Sequence, residues 1–218
     1  NITLNAGDSM SFQSLNTRNG TITLNSDYDL DGIGNITWDA ALAAKINTNG
    51  GGIALRAENV NINTGLSTGG GNITIEADYN NDGSGTVDFN NGSVVNSGGG
   101  NVHISGDQLQ LDSTGAGIIA GTGDVTLVDD GATDNNDIRL NNAFSITGRN
   151  LTATSNADIT LLNNSSFNMT GTVTANAGSN FNADVGDITA GGAISLNAGN
   201  SVDIRNVSTT GGTITLGA

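Results

Sequence analysis

The chain copies its own pattern at a constant offset, and few folds accommodate that. It opens with Ile2-Thr-Leu4, Ala6-Gly7, Met10-Ser-Phe12, Leu15, Gly20 and Ile22-Thr-Leu24. It closes with Ile194-Ser-Leu196, Ala198-Gly199, Val202-Asp-Ile204, Val207, Gly212 and Ile214-Thr-Leu216, every apolar and glycine position in step and without a gap. Within each end the pattern recurs after about 20 residues, from Ile2 to Ile22 and from Ile194 to Ile214, and Ile53 to Ile73 repeats that spacing mid-chain. Repeats of this length are too short to bury a core alone and must stack on their neighbours, which makes a solenoid.

Each repeat reads as one coil. In Ile22-Thr-Leu24 the side chains alternate, so Ile and Leu face an axis and Thr faces water. Two further inward pieces follow, of the Met10/Phe12 and Leu15 kind, separated by Asn, Asp and Gly residues that tolerate the positive φ of corners. Three short strands and three corners give a roughly triangular coil. Stacked coils place like strands in parallel about 4.8 Å apart, and ten or eleven of them predict a rod on the order of 50 Å long. The expected fold is all-β: a parallel β-helix of about 20-residue coils with loop excursions, one segment over residues 1–218.

Composition fits a narrow core. Of 218 residues 35% are apolar and 12% charged, and there are 33 glycines and no proline. A core one side chain deep needs little aliphatic volume, and strands flanked on both sides have no place for a residue lacking an N–H. Stacked corners also invite ladders of identical Asn residues. The formal charge of −15, with six scattered basic residues, argues against nucleic acid and against an anionic membrane surface. No apolar run approaches the roughly 20 residues needed to insert in a bilayer. The chain does not begin with Met and neither end shows a cap, so it reads as an internal piece of a longer repeat protein whose adjacent coils pair with its ends.

A longer period lies inside the first. Gly20-Thr-Ile22-Thr-Leu24 recurs as Gly71-Asn-Ile73-Thr-Ile75 and as Gly123-Asp-Val125-Thr-Leu127. An acidic excursion follows the first two copies, Asp27-Tyr-Asp29-Leu-Asp31-Gly32-Ile-Gly34 and Asp78-Tyr-Asn80-Asn-Asp82-Gly83-Ser-Gly85. The third copy is degenerate, with Asp129, Asp130, Asp134 and Asp137. Asp39 to Lys45 is the one stretch with helical character.

The phrases Gly192-Ala-Ile-Ser-Leu-Asn-Ala-Gly-Asn-Ser-Val-Asp-Ile204 and Gly71-Asn-Ile-Thr-Ile-Glu-Ala-Asp78 resemble the repeat regions of filamentous-haemagglutinin-like exoproteins, and the likeness extends over essentially the whole chain. The resemblance implies a right-handed β-helix, export from a bacterium and a place at the cell surface. Family members are adhesins, biofilm factors or stalks, so the implied partner is a host or neighbouring-cell surface, with glycans among its ligands.

Asp27, Asp29 and Asp31, and in the second loop Asp78, Asn80 and Asp82, are the candidate metal ligands. Oxygen donors at alternate positions before a glycine turn wrap a hard cation such as Ca²⁺, as in the first half of an EF-hand loop. The bidentate Glu of that loop is missing, Trp38 standing in its place, so a carbonyl near Ile33, a water or Asp39 would complete the shell. The competing reading is that Asp and Asn serve only the corner conformation. Trp38 with Phe89, and Tyr28 with Tyr79, occupy equivalent positions and are either packing residues or a platform for a sugar ring. Paired carboxylates such as Asp129/Asp130 or Asp134/Asp137 suit glycoside chemistry, but aromatics are 4% of the chain and a basic partner is lacking, so no catalytic residues are expected. His103, between Val102 and Ile104, is expected to point outward. Outward Thr pairs such as Thr21/Thr23 and Thr213/Thr215 raise ice binding, and Asn72, Asp88 and His103 interrupt that grid.

Overall fold

A computed structural model describes residues 1–38, 45–90, 92–131 and 137–218. It is all-β, without helix among the described residues, and its parallel strands stack as a β-solenoid of about nine turns with about 22 residues per turn. The helical character expected from Asp39 falls on residues 39–44, outside the described ones. Among the described residues no helix is long and apolar enough to cross a membrane.

One face is a ten-stranded parallel sheet running from Ile2–Asn5 through Ile22–Asn25, Ile53–Arg56 and Ile73–Glu76 to Ile214–Gly217. Its register pairs Ile2 with Ile22, Ile53 with Ile73 and Ile194 with Ile214, so each 20-residue spacing in the sequence is one step of the stack. A second face carries Met10–Phe12, Asn35–Trp38, Asn59–Ile62 and Thr86–Phe89, and a third Leu15–Asn16, Ile46–Asn47, Leu66–Ser67 and Val94–Asn96. Those two faces merge near the carboxyl end, where Asn180–Ala190 runs through both and pairs with Ser201–Thr209 across a register shift between Ala183 and Asp187. The coils are fewer and longer than the regular repeat predicts. Ile22 pairs with Ile53 and Ile73 with Val102, so each acidic excursion lengthens its own coil, and later steps of 26 and 22 residues exceed 20.

The strands alternate as expected, inward residues buried and outward ones half-buried, as in Ile22–Asn25, Ile53–Arg56 and Ile73–Glu76. Each Leu, Ile or Val so enclosed stabilises the fold by about 1.5–3 kcal/mol. Alternation also decides the fate of the aromatic residues. In Asn35–Trp38 and Thr86–Phe89 the second and fourth residues face the axis, so Trp38 and Phe89 are fully buried and offer no platform to a sugar. Trp38 stacks on Phe12 at 5.7 Å, and Phe89 meets Phe144 edge to face at 5.1 Å.

At the corner before the first face, glycines form a spine. A Cβ on Gly71 would lie 2.2 Å from the Gly51 carbonyl oxygen, and one on Gly100 would lie 2.2 Å from that of Gly71. No side chain fits where consecutive coils bring backbone onto backbone. Beneath this spine run the buried hydroxyls of Thr48, Thr68 and Ser97, which donate to the carbonyls of Gly51, Gly71 and Gly100. Outside, amides of successive coils donate to one another: Asn25 to Asn5 at 2.8 Å, Asn59 to Asn35 at 2.8 Å and Asn197 to Asn176 at 2.9 Å.

Candidate functional site

Register assembles the site. On the first face Ile22, Ile53, Ile73, Val102 and Val125 stack on one another. Five residues beyond each stands a carboxylate: Asp27, Glu58, Asp78, Asp107 and Asp130. The first corner therefore carries acid on every one of these successive coils. Asp27 is fully buried, and Glu58, Asp78 and Asp107 are each 7% exposed.

Around Glu58 the two excursions close over a short coil. The Glu58 and Asn59 amides both donate to the Gly34 carbonyl, at 2.8 and 3.2 Å, and the Asp78 amide donates to the Glu58 carbonyl at 3.1 Å. The excursions' last glycines are required by this packing, because a Cβ on Gly34 would lie 2.3 Å from the Asp27 nitrogen and one on Gly85 2.1 Å from that of Asp78. The loop tips also meet: Asp82 Oδ2 sits 2.9 Å from where a Gly32 Cβ would stand.

In the second loop Asp78 accepts from the amides of Asp82 at 2.8 Å and Gly83 at 3.0 Å. Asn80 donates to Asp82 Oδ2 at 2.9 Å. Ser84 Oγ lies 2.8 Å from both Asp82 Oδ1 and Glu58 Oε1, yet has a single proton for the two carboxylates. Glu58 Oε2 is buried without a hydrogen-bond partner. One oxygen each of Glu58, Asp78 and Asp82 lie within 4.8 Å of one another. Burial raises the Glu58 carboxyl above its ordinary range, and the charges of Asp82, Asp78 and Asp27 add to that against the Ser84 hydrogen bond. The hydrogen bonds from Ser84 and Asn80 hold Asp82 below its ordinary value.

In the first loop Asp27 Oδ1 accepts from the Gly32 amide at 3.1 Å, and Asp31 Oδ1 accepts from the Ile33 amide at 3.0 Å. Asp27 Oδ2 is buried and unpartnered, and oxygens of Asp27, Asp29 and Asp31 also lie within 4.8 Å of one another. None of Asp27, Glu58, Asp78 and Asp82 is in an ion pair among the described residues, where the ion pairs are Arg56–Glu76, Arg149–Asp124 and Arg205–Asp187.

Of the sequence-derived metal ligands, Asp27, Asp29 and Asp31 come together, as do Asp78 and Asp82, and Asn80 donates to the Asp82 carboxylate. Glu58 was missed, although its place five residues after Ile53 matches Asp27 after Ile22 and Asp78 after Ile73. Asp39 and Asp134 lie outside the described residues. Asp129 is 2% exposed and hydrogen-bonded to the Ser155 hydroxyl and the Gly131 amide. His103 does point outward, between Thr74 and Thr126 in a column that Ala54 also interrupts. Tyr28 and Tyr79 stay outside, 59% and 40% exposed, with Leu30 and Ile33 beside Tyr28 on the same loop, and the Arg56 guanidinium lies 5.5 Å over the Tyr79 ring. Open grooves of about 430 and 320 Å³ lie elsewhere, one around Asp112 and Asn142, the other around His103. Comparison with known protein families, with characterised proteins and with solved structures finds no match.

Proposed function

We propose that this chain is a structural and adhesive segment of a large secreted exoprotein at a bacterial surface, of the filamentous-haemagglutinin kind. The carrying observation is the uninterrupted ten-stranded stack, which spends its sequence on repeating one coil and encloses its apolar residues along a single axis. A solenoid of this kind offers reach and a long lateral wall. The repeat phrases around Gly71 and Gly192 support the family, and the charge of −15 keeps the wall soluble. Contact with another cell falls to the exposed Tyr28, Leu30, Ile33 and Tyr79 on the excursions, where amphipathic rings present area to a sugar or protein surface.

The test is binding of the tagged chain to a glycan array and to intact cells, in calcium and again in chelator. Saturable binding that Tyr28→Ala with Tyr79→Ala abolishes is the expected result. No retention on either surface overturns the adhesive part of the reading.

A further inference from the structure

We infer that Glu58, Asp78 and Asp82 bind one hard divalent cation of the calcium class, which ties the second acidic excursion to the short coil beneath it. Two features beyond the clustering of acid carry this. First, Glu58 is 7% exposed and its Oε2 has no hydrogen-bond donor, so a charged oxygen is held out of water with nothing to neutralise it. Second, Ser84 stands between two carboxylates with one proton to give, so with both ionised one of those 2.8 Å contacts has no hydrogen in it. Buried charges persist in proteins when they are paired or when they coordinate metal. No Lys or Arg is paired with these residues among the described ones.

Donor chemistry selects the ion. All available ligands are oxygens, and they come from two different coils, so the shell is irregular and adjustable. Ca²⁺ accepts six to eight such oxygens in flexible geometry, with water and carbonyls completing the set, whereas Mg²⁺ demands a near-ideal octahedron. Thiol and imidazole, which favour zinc or copper, are missing from the cluster. A cation here would also offset the mutual repulsion of the Glu58, Asp78 and Asp82 carboxylates, whose oxygens lie within 4.8 Å of one another. The inference is independent of adhesion, because it concerns how two neighbouring coils are held together.

The experiment is calorimetric titration of the whole chain with CaCl₂ to about 10 mM, roughly tenfold above the weak end of extracellular calcium sites at about 1 mM, and with MgCl₂ in parallel. Thermal melts are recorded in calcium and in chelator. The wild type is expected to bind calcium in preference to magnesium and to melt several degrees higher with it. Glu58→Gln removes the unpartnered charge but keeps the shape, so in chelator it should melt at or above the wild-type temperature. In calcium it should bind about tenfold more weakly or not at all, and lose the rise. Asp82→Asn, on the exposed tip, should lose it too and serves if Glu58→Gln fails to fold. Asp203→Asn, on the far coil, should keep it. Absence of calcium binding by the wild type, or wild-type affinity in Glu58→Gln or Asp82→Asn, overturns the inference.

Discussion

Mild acid should stabilise this protein, and Asp129 should account for much of the effect. Its carboxyl is pushed up to about 6, first by burial and then by the charges of Asp107 and Asp130, against hydrogen bonds from Ser155 and the Gly131 amide. The unfolded value is about 3.9. Because the folded group has the higher pKa, its stabilising contribution is complete below about pH 4 and disappears as pH rises through about 6. Linkage with those two values gives about 1.4 kcal/mol more stability at pH 5 than at pH 7.5. For a chain of this size that is a rise in Tm of roughly 3–5 °C. Asp129→Asn is nearly isosteric: its amide oxygen can still accept from Gly131, and its amide nitrogen can donate to the Ser155 hydroxyl. Thermal melts of both proteins by circular dichroism at pH 5 and 7.5, all in chelator, isolate the residue. The wild-type pH difference should exceed that of the variant by about the stated amount, and the variant should be the more stable of the two at pH 7.5. Equal pH differences in the two proteins would refute the assignment of the ionisation cost to this buried group.

Two further outcomes follow from packing. Gly71→Ala places a Cβ against the Gly51 carbonyl, and neither backbone can move without shifting a coil, so urea unfolding should show a loss of about 1–3 kcal/mol. Phe89→Ala empties the space beside Phe144 and should cost about 3–5 kcal/mol in the same assay, whereas Tyr28→Ala, on the exposed loop, should stay within about 0.5 kcal/mol.

The stack was legible in the sequence because a parallel coil repeats its inward positions in register, so Ile53 and Ile73 announce their own pairing. The aromatic positions were legible only in part. Trp38 and Phe89 look like loop residues beside acidic turns, but each stands two places after Ile36 or Val87, and period-two alternation sends both inward. The buried Thr48, Thr68 and Ser97 were opaque, since a hydroxyl reads as an outward residue until a glycine carbonyl three positions on supplies its partner. Glu58 escaped for another reason. The acidic loops resemble local chelating motifs, read along the chain, whereas the site is built across coils. Glu58 meets Asp78 and Asp82 across neighbouring coils, a relation that linear spacing does not display. The number of coils was also misjudged, because the two excursions and the longer later steps consume residues without adding rungs.

The central claim is the stack itself, and distances along one face test it most directly. Register places Thr3, Thr126 and Thr215 in a single outward column, with Thr23, Ala54, Thr74 and His103 between the first two and Thr152, Thr174 and Ser195 between the last two. The chain has no cysteine, so pairs of spin labels can be placed cleanly at Thr3→Cys with Thr126→Cys and at Thr3→Cys with Thr215→Cys. At about 4.8 Å per coil, dipolar spectroscopy should return narrow distributions near 24 Å and near 43 Å. Broad distributions, or a second distance no longer than the first, would contradict a solenoid and the account built on it.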